Sequence, residues 1–369
     1  MQIDYKGFGT AGFSVGLEPS GREHMIVVIK RALAFPEEDG GVCTWSDGKV
    51  DLCMADEFTG EPGFSAVVRE ADFALKKQMC DVTLTGFAHT PGGRPMERLR
   101  VGLAIGPIAK AIDMVGNRHW EPILMSAEPS DIEPFTSLPI SYDYAFGGID
   151  DLYEEEELHH AYLPNPVGCG WYRFRNRSLI EGKPLPNCEA PGEETEVPWE
   201  DYTPASFGPI GRAWPGRAEF AGTYDEEWVA DVFPFLPDDF DDRYYQCAPP
   251  DQRMPHAEGG EEIKLQHLVP DAPPLVTMTL PDLSMPVTFV HKRKGDVEVQ
   301  TVTDTIEIEP ELRRISIVSR ATLPIDRDIF EVSSIIAGKR PRAFWRARAL
   351  GKQYRPMRGL GDSPADDGE

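Results

Sequence analysis

Turn-forming residues interrupt this chain so often that a long helix has almost nowhere to run. Gly60-Glu-Pro-Gly63, His89-Thr-Pro-Gly-Gly-Arg94, Tyr142-Asp-Tyr-Ala-Phe-Gly-Gly148 and Asn165-Pro-Val-Gly168 come first. Leu185-Pro-Asn187, Phe207-Gly-Pro-Ile210, Gly222-Thr-Tyr-Asp225, Leu236-Pro-Asp-Asp-Phe240 and Ala248-Pro-Pro-Asp-Gln252 follow. Proline fixes φ and lacks a donor, and glycine reaches φ values closed to other residues, so each segment favours a turn. Gly and Pro number 34 each. Short strands joined by stiff bends are the expected outcome. None of these bends has the spacing of a reaction centre, which points to a rigid binding body.

The strand pattern agrees. Phe13-Ser-Val-Gly-Leu17 alternates, Pro19-Ser-Gly21 turns, and His24–Phe35 returns as an apolar strand, so the three predict a hairpin. Further strands are expected over Phe64–Phe73, Met79–His89, Leu99–Ile105 and Ile108–Val115. They resume over Glu262–Leu268, Val276–Leu280, Pro286–His291, Asp296–Val302, Thr305–Ile308 and Arg314–Val318. The fold class is mainly β: antiparallel β-sandwich or barrel-like units, long ordered Pro/Gly/aromatic loops and few short helices. A short helix is expected near Asp225–Val232 and a helix over Ile325–Ala337. The chain divides into an N-terminal β region (1–120), a loop-rich aromatic region packed on the β body (121–255), a C-terminal β region (256–338) and a basic arm with a frayed tail (339–369). Within the loop region, 189–201 is acidic and Pro-flanked and reads as a mobile loop. The tryptophans and tyrosines around it argue for order elsewhere.

Net charge is −25 and the sequence pI is about 4.7. A nucleic-acid or membrane-surface binder needs the opposite field, so neither is expected as a partner. The charge is uneven. Glu121–Gly170 holds eleven acids and no Lys or Arg, whereas Gly338–Arg358 holds eight bases and no acids. That basic run reads as a solvated tail or a face docking back onto the acidic body, or as an arm for an acidic partner. The cysteines (Cys43, Cys53, Cys80, Cys169, Cys188, Cys247) form no Cys-x-x-Cys pair, and no zinc ribbon or cofactor is expected. The start of the chain has no apolar signal core and no stretch reads as a membrane span. A reducing cytoplasm is the expected compartment.

Two motifs near the N-terminus are decoys. Gly7-Phe-Gly-Thr-Ala-Gly12 matches a dinucleotide fingerprint, but Pro19, Ser20 and Gly21 break the helix that must hold the pyrophosphate. Gly12-Phe-Ser-Val-Gly16 matches a nucleophile elbow, yet Ser14 has no helix behind it. Elsewhere, Glu155 with His159 and Glu156 with His160 stand four apart and could share a metal on a helix. A solvated acidic segment is the plainer reading. Asp238-Asp-Phe-Asp-Asp242 could hold a hard cation or supply paired carboxylates to a metal-assisted or glycoside hydrolase. It lacks calcium-loop spacing, and Asx turns are the default for its carboxylates.

The candidate partner-binding residues are Tyr142, Tyr144, Phe146, Trp214 and Trp228. Aromatic rings held on stiff turns lose little entropy on binding and make good anchors. The alternative is that they plug a loop-rich core.

The order of motifs resembles one family, domain of unknown function 2169, from about Phe13 to about Leu323. Thr59-Gly-Glu-Pro-Gly63, Gly86-Phe-Ala-His-Thr-Pro-Gly-Gly-Arg-Pro95, Gly116-Asn-Arg-His-Trp120, Tyr144-Ala-Phe-Gly-Gly148, Asn165-Pro-Val-Gly168 and the block Gly222–Gln252 carry the resemblance. Leu33 departs from it where a Thr is usual. The resemblance implies a non-enzymatic adaptor or chaperone in bacterial type VI secretion. Its implied partners are an effector with a PAAR-like N-terminal region and, through it, the VgrG spike. A structural component of the secreted spike is the remaining alternative. The resemblance supplies no catalytic residues.

Overall fold

The computed structural model describes residues 2–124, 126–155, 157, 159–352 and 354. Its main strands are β1 (Thr10–Leu17), β2 (Glu23–Ala34), β3 (Cys80–Leu84), β4 (Arg98–Ile105), β5 (Ile108–Val115) and β6 (Glu262–Gln266). β7 (Leu275–Thr279), β8 (Pro286–His291), β9 (Val302–Glu309), β10 (Arg314–Pro324) and β11 (Val332–Ala337) complete the set. The fold is mainly β, as its turn density requires, and every sheet is an open path rather than a closed barrel.

The largest sheet has seven strands, with the order Arg253–Met254, β3, β9, β10, β2, β1, and Thr44–Trp45 pairing β2. β1 and β2 form the expected hairpin, in register from Thr10↔Lys30 to Leu17↔Glu23. Gly21 makes its turn at φ 77°, where a side chain would be strained. β2 shows no polar alternation because it is central and buried on both faces from Met25 to Leu33, Lys30 and Arg31 included. It pairs β10 from Arg314↔Ala34 to Pro324↔His24, while β3 pairs β9 in parallel. The stretches 1–120 and 256–338 are therefore interleaved in one sheet.

Ile306, Ile308, Ile315, Ile317, Val82 and Leu84 share a core with Val101, Leu103, Ile112 and Ile263 of the five-stranded sheet Cys188–Glu189, β5, β4, β6, β7. A second core joins Met25, Val27 and Ile29 to Val287, Phe289 and Ile335. Those partners come from the four-stranded sheet Gln2–Tyr5, β11, β8, Val297–Gln300.

Several expectations need correction. Ile325–Ala337 is not a helix: one 3-10 turn, Ile329–Glu331, leads into β11. Pairing with both Gln2–Tyr5 and β8 overrides local propensity, and Val332, Ile335 and Ile336 are buried there. Phe64–Phe73 yields only the strand Val67–Arg69, because Asp72 turns inward to Lys30 and the Cys53 amide. Met79–His89 splits after Leu84. β3 stays with β9, and Gly86–His89 moves to pair Ser137–Ile140. The loop 189–201 is tied down at buried Glu189, which accepts from Arg118 Nη2 (2.8 Å) and Thr195 N (3.0 Å).

The short helix expected near Asp225–Val232 is a single π-turn at Trp228–Val232. Other short helices are α1 (Pro215–Ala218) and α2 (Arg342–Ala349). The basic run docks back on the body: Arg340 pairs Asp4 (3.1 Å), and Lys339 and Arg348 approach Asp282 and Asp296 (3.7 Å each). Arg355, Arg358 and the expected frayed tail lie outside the described residues. No helix among the described residues is long and apolar enough to cross a membrane.

Candidate protein-binding surface

The loop-rich region is ordered by its own polar side chains. Buried Asn165 donates from Nδ2 to Tyr142 O (2.9 Å) and Phe146 O (3.1 Å). This knots Tyr144-Ala-Phe-Gly-Gly148 to Asn165-Pro-Val-Gly168. A Cβ on Gly147 would lie 2.1 Å from Asn165 O, so only glycine allows the crossing. Asn187 Nδ2 likewise donates to Val115 O (2.9 Å), and Trp120 Nε1 donates to Gly170 O (2.9 Å). The turn motifs thus meet one another in space, which gives these residue types a structural reason.

The same packing separates the five candidate aromatics. Tyr142 and Trp214 are buried and meet edge to face at 5.1 Å. Phe146 is buried against Tyr162 and Tyr202, at 5.2 and 4.9 Å. Tyr142 and Trp214 join the core shared by the two large sheets, Phe146 is enclosed by its ring neighbours, and none of the three offers a contact surface. Tyr144 is exposed, and Trp228 is half-buried.

Trp228 is the centre of a different structure, a projection spanning residues 220–241. Its base is closed twice. Asp241 N donates to Phe220 O (3.0 Å), and Asp239 accepts from Thr223 N (2.9 Å) and Oγ1 (2.7 Å). Gly222 sits at φ 84°, and a Cβ there would meet Asp239 Oδ1 and Pro237 Cβ at 2.9 Å. Asp225 Oδ1 accepts from Trp228 N (2.9 Å), and Trp228 Nε1 reaches back to Phe235 O (3.0 Å). The indole stacks edge-on with Tyr224 (4.7 Å) and Phe233 (5.6 Å). Tyr224, Val229, Phe233 and Phe235 are nevertheless 52%, 63%, 67% and 43% exposed. Sequence reasoning found Trp228 but missed Val229, Phe233 and Phe235. The readable signal was an acidic run broken by Trp228-Val and Phe233-Pro-Phe-Leu236. A monomer rarely gathers exposed large apolar groups in one place without use.

The Asp238–Asp242 carboxylates do not converge. Asp239 clamps Thr223, Asp241 caps its turn through Arg243 N (2.8 Å), and Asp242 pairs Lys76 (2.7 Å). Thr223's amide and hydroxyl hold the Asp239 carboxyl below its ordinary pKa. His159 Nε2 lies 2.8 Å from Tyr153 O, and Glu156, the expected partner of His160, lies outside the described residues. No group of three metal-ligating side chains occurs among the described residues. Ser14 lies within β1, and no helix follows Gly7–Gly12.

Ionisable groups do converge on the large sheet, where segment 69–77 and parts of the loop region at Pro209, Arg217 and Cys247 meet it. Lys30 pairs Asp72 (3.1 Å) and Glu307 (2.9 Å), Lys77 pairs Asp81 (2.8 Å), Arg320 pairs Asp304 (2.5 Å) and Arg217 pairs Glu70 (2.7 Å). The cavity at this layer is about 10 Å3, the space of a single water. A wider cleft of about 540 Å3 opens at the end of β8. His291, Lys292, Arg293, Lys294 and Arg327 line it with exposed Phe330, Asp328 and Glu331.

A family model described as "Uncharacterized protein conserved in bacteria (DUF2169)" matches residues 20–320. No curated protein and no solved structure matches the chain.

Proposed function

Because the chain belongs to the DUF2169 family of uncharacterized bacterial proteins, we propose that it is a non-enzymatic adaptor or chaperone for type VI secretion. In this reading it holds an effector by its PAAR-like N-terminal region in the cytoplasm and assists loading onto the VgrG spike. The observation that carries the reading is the projection at 220–241. It is closed at its base, stiffened by ring stacking, and presents Tyr224, Val229, Phe233 and Phe235 to solvent. A pre-organised apolar surface loses little entropy on association, and burying each large side chain contributes about 1.5–3 kcal/mol. The separate structural partners of Asp239, Asp241 and Asp242 favour this reading over a hydrolase.

The test is to delete this chain in its host and follow the PAAR-like effector encoded beside it. The expected result is loss of effector from both cells and supernatant, with co-purification when the two are expressed together. Unchanged effector level and secretion would refute the adaptor. Recovery of the chain with the spike in the supernatant would make it a spike component instead.

A further inference from the structure

The projection carries more than apolar surface. Between Glu219 and Asp242 there are nine acids and no Lys or Arg. Some of these carboxylates are occupied within the fold, as Asp225, Asp239, Asp241 and Asp242 are. Glu226, Glu227 and Asp231 make no hydrogen bond or ion pair among the described residues, and all three are exposed. They stand on the same turn that holds out Val229 and Phe233. Like charges this close repel one another, and nothing within the element relieves them.

We propose that this acidic, ring-bearing projection is the client-binding site, and that it takes a polypeptide surface in which an apolar socket is framed by Lys and Arg. The inference rests on the adaptor reading and gives that reading a place and a chemistry. Charge complementarity selects the occupant. An acidic surface meets repulsion at the rim, while a basic rim relieves Glu226, Glu227 and Asp231 as the rings exclude water. A second copy docking by the same face would set acids against acids across a two-fold axis. The rings supply affinity, and the carboxylates supply speed and selectivity of encounter.

The test uses the full chain, immobilised, and the full-length PAAR-like effector of the adjacent gene as probe. The Val229→Ser/Phe233→Ser variant removes exposed carbon without touching the base of the projection. Its expected effect is at least a ~10-fold loss of affinity with an unchanged melting temperature. Glu226→Lys/Glu227→Lys/Asp231→Lys reverses the free rim. The native chain is expected to bind more weakly at about 0.5 M than at about 0.05 M salt, and this variant is expected to lose both affinity, to a comparable extent, and that salt dependence. Lys292→Glu/Arg293→Glu in the β8 cleft is expected to change nothing. If the native chain holds the effector and both projection variants hold it equally well, this inference is overturned and the adaptor stands. Loss confined to the cleft variant also overturns it. If the native chain holds no effector, the adaptor reading itself fails, and this site with it.

Discussion

At the residue scale, the chain commits charged groups and thiols to the interior. Asp81 is fully buried and accepts from Lys77 Nζ (2.8 Å), Cys247 N (2.8 Å) and Gln246 Nε2 (2.7 Å). Burial alone would raise its pKa. The Lys77 ammonium and these donors outweigh burial and hold the carboxyl below its ordinary value. A depressed folded pKa means a contribution that is full above the unfolded value of about 3.9 and lost as pH falls through the folded one. Stability should therefore fall on acidification below about pH 4, and Asp81→Ala should flatten that limb. The same substitution strands Lys77 and is expected to cost about 3–5 kcal/mol, read from denaturant unfolding. The cysteines make a second prediction. Burial pushes Cys43 up to about 11 and Cys53, Cys169 and Cys188 up to about 12, with Cys80 and Cys247 well above the ordinary value. A thiol kept protonated is a poor nucleophile. Iodoacetamide at pH 7 should leave all six unmodified in the folded chain and label all six in denaturant. Rapid labelling of any one in the folded chain would contradict this placement.

At the element scale, the projection should behave as one unit hinged at Gly222 and Asp239. Asp239→Ala removes both bonds to Thr223. Amide exchange across 222–237 is expected to quicken while the global melting temperature holds, because the clamp lies outside the large core. The Asp239 carboxyl is held low by Thr223, so the clamp persists above that depressed pKa and loosens as pH falls through it. Elements also show what the sequence could reveal. The β1–β2 hairpin, β4, β5 and β8 were legible because alternation or an unbroken apolar run sat between clear turns. β11 was misread as helical, because parallel pairing with Gln2–Tyr5 is invisible locally. Trp228 could be picked as an anchor, yet Tyr142, Phe146 and Trp214 could not be separated from it. All four sit among Gly and Pro, and only tertiary packing decides which ring faces water. The buried charges were missed for a like reason, since Lys30 and Asp81 look like ordinary surface residues until Asp72 meets the one and Gln246 and Cys247 close over the other.

At the scale of the whole molecule, strands from both ends of the chain share each large sheet, and segment 69–77 with part of the loop region covers a charged face of one of them. β2 cannot be completed without β10, nor β3 without β9. Thermal unfolding should accordingly show one transition, at the same temperature by near- and far-ultraviolet circular dichroism. Separate transitions would mean that the loop region folds by itself. A net charge of −25 keeps such a body soluble and biases its encounters towards basic surfaces. Among the described residues, the projection sets unpaired acids beside exposed Tyr224, Val229, Phe233 and Phe235. Hydrogen–deuterium exchange of the full chain, alone and co-expressed with the proposed PAAR-like effector, tests its client-binding role most directly. The account predicts slowed exchange concentrated in residues 220–241. Protection that instead falls on the cleft at the end of β8, or on the buried charge layer, with 220–241 unchanged, would contradict it.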